Sequence, residues 1–124
     1  MSKILIIDDD KTMTNLLKAL VSMEGHAPTV VNDSTKAMEV AASVEPDLIT
    51  LDLMMPGITG FELCELLHQD PRFRHIPVII VSARDDGESK QRAMQAGASA
   101  YMVKPFDADE FIQKIAALTR MKNL

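Results

Sequence analysis

Short apolar runs alternate along the chain with longer stretches in which apolar residues recur every three or four positions. The short runs predict buried strands, and the longer stretches predict helices with one apolar face. We predict strands at Lys3–Ile7, Ala27–Val31, Leu48–Leu51, Pro77–Ser82 and Ala100–Val103. We predict helices at Lys11–Glu24, Ser34–Ser43, Phe61–Gln69, Glu88–Ala96 and Ala108–Arg120, with a frayed tail over Met121–Leu124. Repeated strand–helix units indicate an α/β domain whose parallel strands are joined by right-handed crossovers.

The composition limits the classes of protein to which the chain can belong. Its 124 residues are 47% hydrophobic and 25% charged, as expected for one soluble globular domain. The net charge of −5 argues against direct binding of nucleic acid, whose phosphates require a basic surface. The single Cys64 cannot form an internal disulfide, and no apolar stretch reaches the about 18 residues of a membrane span. Because no signal peptide precedes the first strand, we expect a cytoplasmic protein.

Three of the predicted strands end on residues that a metal ion and a phosphate could use. The first strand is followed by Asp8 and Asp9, the third by Asp52, and the fifth by Lys104. The carboxyl ends of parallel strands form the ligand-binding edge of an open α/β sheet. We therefore expect three carboxylates and one ammonium group to meet at one site.

The acids after the first strand have a second interpretation. Asp8, Asp9 and Asp10 could cap the first helix, because a carboxylate stabilises the amino end of a helix by up to about 1 kcal/mol. Asp52 favours a metal site instead, because three crowded carboxylates repel one another unless a cation joins them. Mg²⁺ is a hard ion that binds carboxylate oxygens, water and substrate phosphate. The trio of Asp8, Asp9 and Asp52 therefore predicts a magnesium site.

Four segments of the chain, in this order, resemble the signature of response regulator receiver domains. They are Ile4-Leu5-Ile6-Ile7-Asp8-Asp9-Asp10, Leu51-Asp52-Leu53-Met54-Met55-Pro56-Gly57, Val81-Ser82-Ala83 and Lys104-Pro105-Phe106. The resemblance covers essentially the whole chain. It implies a flavodoxin-like, doubly wound sheet of five parallel strands in the order 2-1-3-4-5, with five helices. It also implies that residues 1–124 form one receiver domain and that no output domain is present.

The resemblance assigns roles to the residues of the predicted metal site. Asp52 would be the phosphoacceptor and a metal ligand. Asp9 would bind Mg²⁺ directly, Asp8 would act largely through metal-bound water, and the backbone carbonyl of Met54 would complete the protein's share of the coordination. Mn²⁺ would be an acceptable substitute for Mg²⁺. Formation of an acyl phosphate needs in-line attack and neutralisation of the phosphoryl oxygens, to which the ion would contribute most.

Three further residues would respond to the phosphoryl group. Lys104 could be a surface lysine, but it is long enough to pair with a phosphoryl oxygen or with unphosphorylated Asp52. Ser82 could be a solvated hydroxyl, and by resemblance it is the switch residue that donates to a phosphoryl oxygen. Tyr101 could be a surface aromatic, and by resemblance it swings inward as Ser82 moves. The family also places a cis peptide between Lys104 and Pro105, although a trans turn would fit the sequence too.

The loops near the predicted site contain residues with local roles. We expect Gly57 and Gly60 to permit a tight turn after the third strand, with Thr59 as the cap of the next helix. By resemblance Arg84 lies beside the pocket and could tune the hydrolysis of an acyl phosphate. The three histidines show no ligand spacing with one another or with Cys64, which we assign to the core.

The function that the resemblance implies is a phosphorylation-activated switch in a two-component phosphorelay. A sensor histidine kinase or a histidine phosphotransfer protein would donate the phosphoryl group to Asp52. The protein would catalyse its own phosphorylation and dephosphorylation without being a turnover enzyme. The change would spread to the face formed by the fourth helix, the fifth strand and the fifth helix. An unknown effector, an output domain or a second copy of the chain would bind there.

Two other functions are consistent with parts of the sequence. A receiver fold that never accepts phosphate would serve as an interaction module. The segment Asp8-x-Asp10-x-Thr12 also resembles the nucleophile motif of haloacid dehalogenase-type phosphatases, with Asp8 as the nucleophile, but this leaves Asp52 without a role. A flavin-binding module of the same topology would need a phosphate-binding loop after the first strand, where the acids would repel the phosphate.

Overall fold

The computed structural model describes residues 1–122 as five parallel strands and five helices. The strands are β1 (Lys3–Ile7), β2 (Ala27–Val31), β3 (Leu48–Leu51), β4 (Val78–Ser82) and β5 (Ala100–Val103). The helices are α1 (Lys11–Met23), α2 (Ala37–Val44), α3 (Gly60–Gln69), α4 (Gly87–Gln95) and α5 (Ala108–Lys122). The sheet order β2-β1-β3-β4-β5 confirms the predicted flavodoxin-like α/β fold. Among residues 1–122, no helix combines the length and the apolar character needed to cross a bilayer.

The core consists of two layers, one on each face of the sheet. Successive strand residues point to opposite faces, so Leu5 and Ile7 of β1 pack into one layer while Ile4 and Ile6 pack into the other. Residues of α2, α3 and α4 complete the first layer, and residues of α1 and α5 complete the second. Because helices cover both faces, the inner strands β3 and β4 are buried along their whole length instead of alternating between buried and exposed residues.

The register of the strands brings the predicted site residues to one edge of the sheet. Ile7 of β1 pairs with Leu51 of β3, so the next residues, Asp8 and Asp52, occupy equivalent positions on neighbouring strands. The backbone N–H of Asp52 donates to the carbonyl of Ile7 at 3.0 Å. The parallel pairing of β4 with β5 brings the end of β5, and with it Lys104, to the same edge.

Two differences from the predicted boundaries have local causes. The fourth strand begins at Val78 instead of Pro77, because proline has no N–H to donate to the strand ladder. The predicted second helix begins as a 3₁₀ turn over Ser34–Lys36, and α2 follows it. The side chain of Asp33 caps this turn by accepting the N–H of Thr35 at 3.0 Å.

The last two helices also begin or end away from the predicted positions. The fourth helix begins at Gly87, one residue early, because the Asp86 side chain caps it by accepting the N–H of Ser89 at 2.8 Å. The helix α5 continues over residues 121–122, the first two residues of the predicted tail. Residues 123–124 of that tail lie outside the described residues.

Candidate metal centre at the carboxyl edge of the sheet

Three carboxylates meet where β1 and β3 end. Asp8, Asp9 and Asp52 each offer one oxygen atom, and these oxygens lie within 4.8 Å of one another. Asp8 is 2% exposed and Asp52 is 6% exposed, whereas Asp9 is open to solvent. Buried carboxylates at such distances repel one another unless a cation joins them. Hard oxygen donors beside solvent suit Mg²⁺, which keeps part of its water shell in proteins. The residues present therefore fit the ion that the sequence predicts.

Asp8 is held by partners on all of its oxygen atoms. Its Oδ2 accepts a hydrogen bond from Lys104 Nζ at 2.8 Å, and its Oδ1 accepts the backbone N–H of Asp10 at 2.9 Å. The Asp8 carbonyl accepts from the side-chain amide of Asn32 at 2.9 Å, and the same amide donates to Thr14 Oγ1 at 3.1 Å. These contacts fix the end of β1. Sequence reasoning missed Asn32, because its partners lie far from it along the chain and leave no local pattern.

Lys104 lies between the two buried acids but closer to one of them. Its Nζ is 2.8 Å from Asp8 Oδ2 and 3.8 Å from Asp52 Oδ1. The sequence predicts a contact with Asp52, and that contact is the longer of the two. The peptide bond between Lys104 and Pro105 is cis, the isomer that the resemblance implies.

Asp52 is less well neutralised than Asp8. Burial, and then the neighbouring charge of Asp8, raise the pKa of the Asp52 carboxyl to about 6. Lys104 and the N–H of Met54 oppose this rise without cancelling it. A protonated carboxyl is a poor nucleophile, and a cation beside it favours the ionised form. The site therefore links the ionisation of Asp52 to the presence of a cation.

The loop that follows Asp52 returns close to the end of β3. A Cβ atom at position 60 would collide with the backbone carbonyl of Asp52, so only Gly60 fits at the start of α3. Gly57 has a φ of +83°, in the left-handed region that favours glycine. The side chain of Thr59 caps α3 and forms a capping box with Glu62. The predicted local roles of Gly57, Gly60 and Thr59 are confirmed.

Ser34 anchors the same loop from the side of β2. Its side chain is buried, and its hydroxyl donates to the carbonyl of Pro56 at 2.9 Å and accepts the N–H of Ile58 at 3.1 Å. Sequence reasoning places Ser34 only at the start of a helix. Its loop contacts span more than twenty residues of chain, so no short motif contains both partners.

The backbone of Arg84 connects the two predicted switch residues. Ser82 is fully buried, and its Oγ accepts the backbone N–H of Arg84 at 3.2 Å. The hydroxyl of Tyr101 donates to the backbone carbonyl of Arg84 at 2.8 Å. The Tyr101 ring is half-buried and packs against the core layer that contains α2, α3 and α4. Ser82 and Tyr101 thus bind the N–H and the carbonyl of the same residue, Arg84.

The side chains of Arg84 and Met54 meet beyond the ends of β4 and β3. Arg84 Nη1 is 3.8 Å from Met54 Sδ, and Arg84 Nε is 3.4 Å from Asp86 Oδ1. Both side chains are exposed. The predicted position of Arg84 beside the pocket agrees with this contact, since Met54 is two residues after Asp52. The role of the Met54 carbonyl as a metal ligand stays a prediction.

Two other candidate groups have structural roles. Asp10 stands apart from the acid cluster and caps α1, because its carboxylate accepts the N–H of Thr12 at 2.9 Å and of Met13 at 3.3 Å. The capping interpretation thus holds for Asp10. Burial raises the pKa of the Cys64 thiol to about 11, so this cysteine is an unreactive core residue, as predicted.

The chain is similar to known proteins over almost its whole length. The family model described as response regulator receiver domain matches residues 4–116. The DNA-binding dual master transcriptional regulator RpaA of Synechocystis sp. is 38% identical over 120 residues, which are 97% of this chain and 50% of that protein. Response regulator PleD of Caulobacter vibrioides is 36% identical over 121 residues, which are 98% of this chain and 27% of that protein.

Solved structures give the same result. The receiver domain of Francisella response regulator 1452 has a TM-score of 0.91 and 32% identity, and the match covers 98% of this chain and 99% of that chain. The chain therefore spans half or less of the two curated relatives, but nearly all of this solved domain.

Proposed function

Because this chain belongs to the family of response regulator receiver domains, we propose that it is a phosphorylation-activated switch of a two-component phosphorelay with Asp52 as its phosphoacceptor. The observation that carries the proposal is the meeting of Asp8, Asp9, Asp52 and Lys104 at one edge of the sheet. Transfer of a phosphoryl group to a carboxylate requires a nucleophilic oxygen with cationic groups beside it. Residues 1–124 would act as one receiver domain.

The phosphoryl transfer would use Asp52 as the nucleophile. A carboxylate oxygen attacks phosphorus in line with the imidazole nitrogen of a phosphohistidine, so that a P–O bond forms as the P–N bond breaks. The product is an acyl phosphate, and its hydrolysis by water returns the free carboxylate. Asp8, Asp9, Asp52 and the Met54 carbonyl would hold Mg²⁺, or Mn²⁺ in its place. When bound, the ion neutralises charge on the phosphoryl oxygens.

Lys104 and Ser82 would respond to the new phosphoryl group. Lys104 Nζ already lies 3.8 Å from Asp52 Oδ1, so it can pair with a phosphoryl oxygen on that side chain. The Ser82 hydroxyl would donate to another oxygen. Because Ser82 Oγ also accepts the N–H of Arg84, its movement would displace the backbone to which Tyr101 is bonded. A change from about 1:99 to 99:1 in such a switch requires about 5.5 kcal/mol.

The partners would act at two separate places. A sensor histidine kinase or a histidine phosphotransfer protein would donate the phosphoryl group at the acid cluster. The face of α4, β5 and α5 would present the change to an effector, an output domain or a second copy of the chain. RpaA is named as DNA-binding, but this chain covers 50% of that protein and has a net charge of −5, so we assign no nucleic-acid contact to it. A cytoplasmic location is part of the same proposal.

The rival functions use the same residues differently. A phosphatase of the haloacid dehalogenase type would need a free carboxylate at Asp10, and that carboxylate caps α1. It would also need a free nucleophile at Asp8, which pairs with Lys104. If the protein were an interaction module that never accepts phosphate, the meeting of Asp52 with Asp8, Asp9 and Lys104 would have no function.

Intact-mass measurement after incubation with acetyl phosphate and Mg²⁺ tests the proposal. We expect one labile phosphoryl adduct in the wild type, none in Asp52→Asn, and none in chelator. Asp109→Asn is the matched control, because it removes an exposed acid of α5 and should keep the adduct. Persistence of the adduct in Asp52→Asn with its loss in Asp8→Asn would support the phosphatase. A wild type without an adduct would support the interaction module.

A further inference from the structure

A second cleft opens at the edge of the sheet opposite the acid cluster, where β4 and β5 begin. Its volume is about 520 Å³, within the range of small-molecule sites. Its walls come from α3, the loop between α3 and β4, the loop before β5, and α5. None of the residues assigned to phosphoryl transfer lines it.

The polar groups that line this cleft can donate hydrogen bonds. Arg74 contributes a guanidinium group, and His68 and His75 contribute imidazoles. Ser99 Oγ accepts the N–H of Val78 at 3.3 Å, which leaves the Ser99 O–H available as a donor. No carboxylate of residues 1–122 lines the cleft. A cleft lined by hydrogen-bond donors and by no carboxylate is suited to bind an anion.

The guanidinium of Arg74 has no direct ion-pair partner within the described part of the chain. Asp70, the acid of the same loop, is bound in a bidentate pair by Arg72, with distances of 3.1 Å and 2.8 Å. Among residues 1–122, Arg74 forms no such direct pair, and its charge acts on Asp70 only at longer range, where it adds to the lowering of the pKa of that carboxyl by Arg72. An unpaired guanidinium in a protein of net charge −5 provides a local attraction for anions that most of the surface lacks.

One wall of the cleft is held in place by close packing. Gly97 has a φ of +109°, and a Cβ atom there would lie 2.5 Å from Cγ of His68. The imidazole of His68 therefore lies directly against the backbone of Gly97. Ile76 and Leu118 add apolar surface, so the cleft offers room for an organic body as well as for an anionic group.

We propose that this cleft binds a phosphate monoester of about mononucleotide size. The phosphate group lies against Arg74 and Ser99, because three phosphate oxygens match a guanidinium fork and a hydroxyl donor. The organic body lies against Ile76 and Leu118. The proposal concerns the amino ends of the strands and does not depend on phosphorylation of Asp52.

Amide chemical shifts of the full chain test the proposal, with AMP as the probe and chelator present to keep metal ions from the acid cluster. We expect saturable shifts at His75, Gly97 and Ser99 with a millimolar Kd, weaker shifts at the same amides with inorganic phosphate, and no shifts with adenosine. Equal shifts with adenosine and AMP would overturn the role of the phosphate. Shifts confined to the carboxyl edge, or no shifts at millimolar AMP, would overturn the site itself.

Two variants separate specific binding from general attraction. Arg74→Gln should weaken AMP binding about tenfold, and Ser99→Ala should weaken it by a smaller factor. Arg120→Gln is the matched control, because Arg120 is exposed on α5, donates to the Ala116 carbonyl and does not line the cleft. An equal loss in Arg120→Gln would mean that AMP responds only to net charge. Arg74→Gln should still form the acetyl phosphate adduct, so this inference and the proposed function can fail separately.

Discussion

The ammonium of Lys104 and the carboxylate of Asp8 form an ion pair of 2.8 Å in which the Asp8 side chain is 3% exposed. A second pair of the same length, Lys90 with Asp85, lies at the surface, and there the Asp85 side chain is 72% exposed. Breaking a buried pair leaves an uncompensated charge, whereas a surface pair contributes little to stability. The protein therefore contains its own control for the effect of burial on an ion pair.

Lys104→Met should lower the free energy of unfolding by about 3 kcal/mol in chelator, because it leaves the buried Asp8 carboxylate without its cation. Lys90→Met should lower it by less than about 1 kcal/mol. Mg²⁺ should reduce the first loss and leave the second unchanged. Urea unfolding with and without Mg²⁺ measures both. Equal losses in the two variants would contradict a buried Lys104–Asp8 pair.

Asp52 should make the metal-free protein less stable as the pH rises. Its pKa increases from 3.8 to about 6 on folding, so the folded state favours the protonated carboxyl. This stabilisation is complete below about pH 4 and is lost as the pH rises through about 6. Asp52→Asn should therefore melt higher than the wild type at neutral pH in chelator, and the difference should vanish near pH 4. Thermal melts across this range provide the measurement.

The other acids of the protein supply controls for this pH dependence. Asp9→Asn should raise the melting temperature at neutral pH by less than Asp52→Asn does, because Asp9 is exposed and already solvated. Asp109→Asn on α5 should leave the melting temperature unchanged. Mg²⁺ should stabilise the wild type more than Asp52→Asn. If all three variants melted like the wild type at every pH, the acids would not share a site.

Ser82→Ala should accept the phosphoryl group but fail to pass the change to Tyr101, because the variant lacks the hydroxyl that accepts the Arg84 N–H. The measurement is the change in amide chemical shifts over residues 84–114 on addition of beryllium fluoride and Mg²⁺. Shifts should cover this region in the wild type and in the control Ser43→Ala, an exposed serine of α2. In Ser82→Ala they should stay near the acid cluster. A full wild-type pattern in Ser82→Ala would exclude the hydroxyl from the relay.

Cys64 should react slowly with iodoacetamide in the folded protein, because burial raises its pKa to about 11 and little thiolate forms near neutral pH. Labelling should become fast in denaturant. A Cys64→Ala protein with Ser43→Cys supplies an exposed thiol for comparison. Mass spectrometry follows both rates, and rapid labelling of folded wild type would contradict a buried thiol.

The strands and the meeting of the acids with Lys104 could be predicted because each depends on local chain order. Apolar runs identify parallel strands, and the residue after each run must lie at the carboxyl edge of the sheet. The assignment of Asp8, Asp9 and Asp52 to one cluster needed only that rule. Thr59 as a helix cap was equally accessible, because its partner Glu62 lies three residues away.

The contacts that could not be predicted join distant parts of the chain or depend on small distances. Ser34 and Asn32 support the site through partners that no short motif contains. Lys104 Nζ lies 2.8 Å from Asp8 Oδ2 and 3.8 Å from Asp52 Oδ1. The order of the strands along the sequence does not determine a difference of this size. The roles of Asp33 and Asp86 as caps were missed, although both lie directly before the helical segments that they cap.

The pairing of Ile7 with Leu51 constrains how this protein can be redesigned. Insertion or deletion of one residue within β3 would turn Asp52 toward the opposite face of the sheet, since side chains alternate along a strand. Changes of length are therefore tolerable in the turns at the amino ends of the strands but not within β1 or β3. A chimaera that exchanges parts of this chain with a relative should be joined in those turns, so that the acid cluster and Lys104 are inherited as one unit.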